Sequence, residues 1–328
     1  MRVDGNRTYL ATDNLSSNDE LFVYDTTVVS SPVLLGSFDV GATVFDMVVQ
    51  GGYAYLATSS DTRELDIINV STPSSMSRVG SYNAPGSADM YGIALSGSTA
   101  YLARDSSGER EFYSVNVSSP SSPSLLGSLD FAGGDMNSVV VRGNYAYVAT
   151  DSNTQELAVV NVSNPTAPVL SGSYDSSGND NAESVALGES MLALGEAGGN
   201  NLIVFDLSSP GSPSYRSATA VGGIVYALAF DSNDAVFLAT SLASSQAQRW
   251  DISAPATPVR DFSYNLNATA YGVYFNGTNA FFATTHNSLE LQIFGPTVSV
   301  YSDYVKEGSF TSQVYDSGST TTAWNSIE

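Results

Sequence analysis

Cysteine is absent from this chain, histidine occurs once, at position 286, and lysine occurs once, at position 306. Without cysteine, disulfide bonds, thiolate nucleophiles and cysteine-ligated metals are excluded. Acidic residues outnumber lysine and arginine by 33 to 11, and phosphate binding requires clustered basic residues. Nucleic acid is therefore not an expected partner. No run of 18 apolar residues occurs, so we expect no membrane span in this sequence.

The same shortages bear on catalysis. A Ser-His-Asp triad would have to use His286, but no Gly-x-Ser-x-Gly elbow precedes a helix in this sequence. Paired carboxylates suited to glycoside chemistry stay open, because a closed ring brings distant residues together. The sequence therefore predicts a protein that is not an enzyme, and a carbohydrate-active enzyme of the cell envelope is the alternative.

A repeat of roughly 45 residues, written seven times, is what the chain does contain. Its first mark is an aromatic-centred strand, with equivalent positions at Tyr9, Tyr55, Tyr101, Tyr147, Ala193, Phe237 and Phe281. Its second mark is an apolar run that ends in Asp or Asn, and ten of the twelve prolines follow that residue by four or seven positions. Proline cannot pair within a central strand, so these columns mark turns. Short strands at this period are typical of a β-propeller.

We therefore predict an all-β fold, a seven-bladed β-propeller of four-stranded antiparallel blades with almost no helix. Residues 1–296 are expected to form the propeller, and residues 297–328 a short C-terminal β extension. That extension either completes the last blade or begins a truncated following domain. Because Met1-Arg2-Val3 aligns with the second half of a strand, we expect the sequence to be a piece of a longer protein.

One repeat carries a resemblance to a known family. It reads Tyr-Ala-Tyr-Val-Ala at 145–149 and Leu-Ala-Val-Val-Asn-Val-Ser-Asn-Pro-Thr-Ala-Pro-Val-Leu-Ser-Gly-Ser-Tyr at 157–174. This pattern resembles the LVIVD-repeat family, which is similar to other bacterial and archaeal cell-surface propellers. The resemblance implies an extracellular or envelope-attached, non-catalytic module, and it fixes no ligand.

Two columns of the repeat are candidate sites. The second position of each first strand is predicted to lie in a ring at the mouth of the central channel. Its side chains suit either binding of a glycan or peptide or packing between blades. The residues at this position are Phe45, Tyr91, Asn137, Glu183, Tyr226 and Tyr271. The residue at the start of each third strand predicts a second ring, which is acidic. Its side chains either bond a neighbouring loop or attract cations or a basic partner. The carboxylates are Glu20, Glu64, Glu111, Glu156 and Glu290, and the other two blades have Asn201 and Gln246.

Several loops beside these columns are rich in oxygen-bearing side chains. They are Asp13–Glu20, Ser59–Glu64, Asp105–Glu109, Asp151–Glu156 and Asp175–Glu183. Such loops suit Ca²⁺, which takes six to eight hard oxygen ligands, but turn-forming composition is the simpler explanation for them. No cofactor is expected apart from this open case of calcium, and the identity of any metal ligand stays undetermined.

These observations together predict a non-catalytic extracellular or cell-surface module. It would display its propeller loops to a protein or glycan partner in binding or adhesion, as part of a surface or pilus-like assembly. A purely structural subunit of a surface array is a further alternative to the enzyme.

Overall fold

Short antiparallel strands make up nearly all the regular structure in the computed structural model. The model describes residues 1–13, 19–106, 108–176, 179–199, 201–232, 234–285, 290–296 and 310–315. In this described part of the chain the one helical element is a single 3₁₀ turn at Pro73–Ser75. The prediction of almost no helix is confirmed, and no described helix is long and apolar enough to span a bilayer.

The strands fall into seven four-stranded sheets, numbered as blades 1 to 7 along the chain. Blade 1 contains β1 (Arg2–Asp4), β2 (Arg7–Ala11), β3 (Leu21–Asp25) and β4 (Val33–Phe38), and blade 2 contains β5 (Val44–Gln50), β6 (Tyr53–Thr58), β7 (Leu65–Asn69) and β8 (Ser77–Tyr82). Blade 3 contains β9 (Met90–Ser96), β10 (Thr99–Arg104), β11 (Phe112–Asn116) and β12 (Ser124–Leu129). Blade 4 contains β13 (Met136–Arg142), β14 (Tyr145–Thr150), β15 (Leu157–Asn161) and β16 (Val169–Tyr174). Blades 5 to 7 contain β17 (Ala182–Leu187), β18 (Met191–Glu196), β19 (Leu202–Asp206), β20 (Ser214–Thr219); β21 (Val225–Ser232), β22 (Ala235–Thr240), β23 (Ala247–Asp251), β24 (Val259–Tyr264); and β25 (Ala270–Phe275), β26 (Ala280–Thr284), β27 (Leu291–Pro296), β28 (Phe310–Tyr315).

Every blade is an antiparallel meander in which the four strands pair in chain order. The first strands of successive blades contact one another, so they form the innermost layer around the central channel. At the closing point Met1 lies beside Gly272 of β25, and Val3 packs with Phe281 and Leu291 of blade 7. The seven-bladed antiparallel propeller predicted from the repeat is confirmed.

The last blade takes its outer strand from the C-terminal region. β28 pairs with β27 from Leu291–Tyr315 to Pro296–Phe310 and supplies the fourth strand of blade 7. A fourth strand covers the edge that β27 would otherwise expose. The proposed boundary between a propeller at 1–296 and an extension at 297–328 stays a prediction.

Two faces of the disc are distinguished by their loops. We call the upper face the one that carries the loops from second to third strands and from each fourth strand to the next blade. The lower face carries the first hairpins and the proline turns. On the lower face Asn69, Asn116 and Asn161 each accept the backbone N–H two residues ahead at 3.0 Å, which is the turn predicted from this slot.

The hydrophobic core lies between blades. The cluster between blades 2 and 3, for example, joins Tyr55, Leu65 and Ile67 to Ile93 and Val115. Equivalent clusters occupy the other blade interfaces. A blade therefore buries its apolar residues against its neighbours, as stacked repeats do, which explains why the aromatic-centred strand recurs in every unit.

Candidate functional site

A β-bulge occurs at the same place in six blades, at the upper end of the first strand. The ladder between first and second strands skips one residue there, so that residue lacks a ladder partner. The skipped residues are Phe45, Tyr91, Asn137, Glu183, Tyr226 and Tyr271. These six are the predicted channel-mouth column. Bulges redirect a side chain and are common beside active sites.

Bulged residues of neighbouring blades touch one another around the mouth. The rings of Phe45 and Tyr91 meet edge to face at 4.9 Å between centroids, and those of Tyr226 and Tyr271 lie 4.4 Å apart. Asn137 Nδ2 donates to the carbonyl oxygen of Ala182, at 2.9 Å. The structure therefore brings the predicted residues together on the upper face, although their role in binding a ligand stays a prediction.

Two of the six bulged side chains are largely exposed, and the other four are partly buried. Phe45 and Tyr271 are 44% and 54% exposed, which is unusual for side chains of this size in a molecule whose other aromatic rings mostly lie in interfaces. Each of these rings also packs against the bulged ring of a neighbouring blade, so both ligand binding and packing between blades stay predictions. Tyr91 and Tyr226 are only partly buried.

Four aspartates lie beside this ring in blades 3 and 4. Asp89 and Asp135 precede the first strands of their blades, and Asp105 and Asp151 follow the second strands. The side chain of Asp135 hydrogen-bonds the side chains of both Asp105 and Asp151. Asp135 Oδ1 also accepts the N–H of Ser106 at 2.8 Å, and the N–H of Asp135 bonds Asp151 Oδ1 at 2.5 Å.

This crowding changes the acidity of the mouth. Burial, then the hydrogen bond and charge of Asp135, raises the pKa of Asp105 to about 6. Burial, and next the charge of Asp135, raises the pKa of Asp151, and burial with the charge of Asp151 raises that of Glu183. Burial followed by the charge of Asp105 raises the pKa of Tyr91 to about 12. The mouth therefore contains a cluster of carboxyl groups, and one of them, that of Asp105, is protonated at mildly acidic pH.

Sequence reasoning missed the pairing of Asp105 with Asp135. Asp105 was assigned only to an oxygen-rich loop, and Asp135 to no site. A signal was available in the repeat: blades 3 and 4 carry aspartate directly after the second strand, at Asp105 and Asp151. Nothing in one sequence shows that the loop of blade 4 approaches the loop of blade 3 closely enough for a hydrogen bond.

The predicted acidic ring lies on the same face, but its carboxylates point into loops. Each accepts the backbone N–H of the residue twenty positions ahead: Glu20 that of Val40 at 2.8 Å, Glu64 that of Ala84 at 3.0 Å, Glu111 that of Phe131 at 2.6 Å, and Glu156 that of Ser176 at 2.9 Å. The amides of Asn201 and Gln246 make the same bond, and Glu290 precedes β27. These residues hold the upper loops, and a use in binding a cation or basic partner stays a prediction.

The last residue of the second strand forms another ring of contacts. This residue is threonine in blades 2, 4, 6 and 7. In blades 2, 4 and 6 its Oγ1 donates to a carbonyl oxygen of the following loop: Thr58 to Arg63, Thr150 to Gln155 and Thr240 to Ser245. Blade 3 has Arg104 there and blade 5 has Glu196, both buried. Burial, and next the charge of Glu156, raises the pKa of Glu196 to about 7.

Two predictions concern residues outside the described part of the chain. His286 lies outside the described residues, as does most of the loop Asp13–Glu20. Among the residues that the structure describes, no three acidic or histidine side chains converge as a ready-made metal centre.

Comparison with solved structures places the fold among known propellers. The chain has a TM-score of 0.76 and 11% identity to a candidate 6-phosphogluconolactonase of Bacteroides uniformis, covering 94% of this chain and 96% of that one. A periplasmic gluconolactonase of Pseudomonas aeruginosa gives 0.73 and 13%, over 92% and 96%. A chain of the mitotic checkpoint complex gives 0.65 and 12%, over 84% and 88%. No curated protein matches the sequence.

These similarities correct one prediction. The chain was predicted not to be an enzyme because it lacks a histidine-based triad, yet propellers that it matches over more than nine-tenths of its length include a candidate lactonase and a gluconolactonase. The absence of a histidine-based triad therefore does not exclude an enzyme on this fold. The prediction gave most weight to the missing triad, and it left paired carboxylates, which also activate water, as the alternative.

Family comparison agrees with the repeat. The model of the LVIVD repeat matches residues 42–84, 85–130 and 133–176. These segments correspond to blades 2, 3 and 4, the part of the chain that carries the carboxyl pair and half of the bulge ring. The predicted resemblance is confirmed: the chain is a seven-bladed β-propeller with LVIVD repeats.

Proposed function

We propose that the chain is a carbohydrate-active hydrolase that opens an uncharged sugar lactone at the upper mouth of its channel. The observation that carries this proposal is the hydrogen-bonded carboxyl pair of Asp105 and Asp135, set beside a ring of partly exposed aromatic side chains. The lactonases among the structures of the same fold support the choice of reaction.

The spacing of the carboxyls favours lactone opening over glycoside cleavage. Glycosidases keep their two carboxyl groups about 5 Å or more apart, to admit a sugar carbon or a water between them. Two carboxyl groups joined by a hydrogen bond instead resemble a dyad that shares one proton. In such a dyad one carboxyl group accepts a proton from water while the other donates a proton to the substrate. Asp105 and Asp135 are of this second kind.

The reaction follows from that arrangement. The ionised carboxylate of the pair accepts a proton from water as the water oxygen bonds to the lactone carbonyl carbon. The bond between that carbon and the ring oxygen then breaks, and the protonated member gives its proton to the departing oxygen. The product is the open hydroxy acid, and the pair is left with one proton, as at the start.

Aromatic side chains supply the binding surface. Tyr226 and Tyr271 form one pair and Phe45 and Tyr91 another, so two apolar platforms flank the acidic sector. Sugar rings present C–H faces to such platforms and hydroxyl groups to carboxylates such as Glu183. A phosphorylated sugar is disfavoured, because Asp89, Asp105 and Asp151 would repel its phosphate.

The test is hydrolysis of glucono-δ-lactone, followed by acid release at constant pH against the spontaneous rate. Asp105→Asn and Asp135→Asn should each lower kcat/KM by about 100-fold or more, the usual contribution of a general acid or base. Asp234→Asn, an exposed aspartate in a hairpin of the lower face, is the matched control.

Two results would contradict the proposal. One is the absence of any lactone or ester hydrolysis above the spontaneous rate. The other is turnover that Asp105→Asn and Asp135→Asn leave unchanged. Faster hydrolysis of the 6-phosphorylated lactone than of the neutral one would contradict the substrate class alone. The predicted location at the cell surface, with a protein or glycan partner, is retained as part of the proposal.

A further inference from the structure

Two blade interfaces have side chains of opposite charge at equivalent positions. Between blades 2 and 3, the acidic-ring residue Glu64 lies near Arg104, whose positive charge favours its ionised form. Between blades 4 and 5, the equivalent Glu156 lies near Glu196, a second carboxyl. Arg104 and Glu196 occupy the same position at the end of the second strand. The first interface therefore has a counter-charge, and the second has two like charges.

A single serine holds both carboxyls of the second interface. The N–H of Ser176 donates to Glu156 Oε2 at 2.9 Å, and the Ser176 side chain hydrogen-bonds Glu196. The remaining oxygens, Glu156 Oε1 and Glu196 Oε1, are buried and have no hydrogen-bond partner. The two residues are 0% and 2% exposed. Glu156 and Glu196 thus each leave one buried carboxylate oxygen without a partner, and the charge of Glu156 acts on Glu196 across the interface.

No basic side chain relieves this arrangement in the described part of the chain. The ion pairs found there join arginines to Asp46, Asp66, Asp206, Asp231 and Asp261. Asp180 lies close enough to add to the negative charge on Glu196. A buried carboxylate is costly unless it is paired or coordinates a metal.

We propose that a calcium ion binds between blades 4 and 5, with Glu156 Oε1 and Glu196 Oε1 as its protein carboxylate ligands. The ion supplies the positive charge that Arg104 supplies one interface earlier. Water and main-chain carbonyl oxygens complete the coordination, which suits Ca²⁺ because it accepts six to eight hard oxygens in flexible geometry. At this point Ser176, from the oxygen-rich stretch Asp175–Glu183, bonds Glu156, which ends the oxygen-rich loop Asp151–Glu156.

This site is separate from the carboxyl pair at the channel mouth and does not depend on the proposed reaction. Its function is to join two blades. The first test is therefore thermal unfolding of the chelator-treated protein, at constant ionic strength, with added Ca²⁺ or Mg²⁺. At a Ca²⁺ concentration about 100 times the dissociation constant, Tm should rise by about 4 °C for a chain of this length. Mg²⁺ should raise it less, because it demands a tighter octahedral geometry.

Variants identify the site. Glu196→Thr introduces the residue found at the equivalent position of blades 2, 4 and 6. Glu196→Arg introduces the positive charge found there in blade 3. Both should unfold at a Tm that Ca²⁺ does not change. Glu64→Gln, which alters the equivalent carboxyl beside Arg104, should keep the full response to Ca²⁺.

Terbium provides a second readout that does not depend on stability. Tyr174 lies near Glu156 and Glu196 and should sensitise the luminescence of a bound Tb³⁺ ion. We expect one saturable signal that Ca²⁺ displaces, that Glu196→Thr abolishes and that Asp105→Asn retains. The proposal is overturned if wild type shows no response to Ca²⁺, which would leave a shared proton between the two carboxyls. It is equally overturned if Ca²⁺ stabilises wild type and both Glu196 variants alike, which would indicate general screening of an acidic surface.

Discussion

Replacing Glu111 tests whether the acidic ring is a structural device. Its carboxylate accepts the N–H of Phe131 at 2.6 Å, and both groups are buried in the upper loops of blade 3. Glu111→Gln keeps an acceptor oxygen of the same reach. Blade 6 uses that residue naturally, since Gln246 Oε1 accepts the N–H of Leu266 at 2.7 Å. Glu111→Ala removes the acceptor and leaves a buried N–H without a partner.

The magnitude follows from that difference. A hydrogen bond to a charged group contributes about 1.5–3 kcal/mol, and an unsatisfied buried donor costs a similar amount. Glu111→Ala should therefore lower the free energy of unfolding by about 3 kcal/mol, whereas Glu111→Gln should lower it by less than about 1 kcal/mol. Burial, the largest cause, raises the pKa of Glu111 above its ordinary value of 4.5. Wild type should consequently lose stability relative to Glu111→Gln as the pH rises from 4.5 through the raised pKa.

Equilibrium urea unfolding measures both variants, and a loss of about 3 kcal/mol corresponds to a midpoint lower by about 1 M. Hydrogen exchange at the Phe131 amide gives the local check, with faster exchange expected only in Glu111→Ala. Equal destabilisation by the two substitutions would refute the reasoning, because it would mean that charge and not the hydrogen bond holds the loop. An unchanged midpoint in Glu111→Ala would refute it as well.

Three further outcomes are expected. Lactone hydrolysis should fall as the pH rises through about 6, because Asp105, whose pKa is raised to about 6, then loses the proton that the pair needs; a rate that rises with pH after subtraction of the spontaneous reaction would contradict this. Tyr271→Ala should raise KM by about tenfold while leaving Tm nearly unchanged, since the ring is 54% exposed; a large loss of stability measured by urea unfolding would instead assign it to packing. Gly80→Ala should destabilise the protein by about 2 kcal/mol or more, because a Cβ there would overlap the carbonyl oxygen of Pro120 in the next blade; an unchanged urea midpoint would show that the blades move apart freely.

Several features of the site were predictable because they repeat. The column of Phe45, Tyr91 and their equivalents was placed at the channel mouth from the register of the first strand alone. The structure adds that each of these residues is bulged out of its ladder. A bulge has no signature in this sequence, because Phe, Tyr, Asn and Glu all occupy the position and only the pairing of the second strand reveals the skipped residue.

Residues that depart from the repeat were harder to interpret. Arg104 and Glu196 stand where other blades have threonine, and a single sequence does not show that each is buried against the acidic ring of the preceding blade. Likewise, the pairing of Asp105 with Asp135 depends on two loops from different blades approaching within hydrogen-bonding distance. The sequence left paired carboxylates open without naming a pair, because such pairs become visible only in the folded structure.

The sequence by itself determined the blade: its four strands, its proline turns, its Asx-capped lower loops and the number of copies. It could do so because strand alternation, turn chemistry and period are local properties, expressed within about 45 residues. Only the tertiary structure decided what lies between blades. Packing of successive blades brings Asp105 and Asp151, which are 46 residues apart, against the same carboxyl group of Asp135. The energy of such contacts depends on the distance between the groups and on their burial, and neither can be read from the sequence of a single repeat.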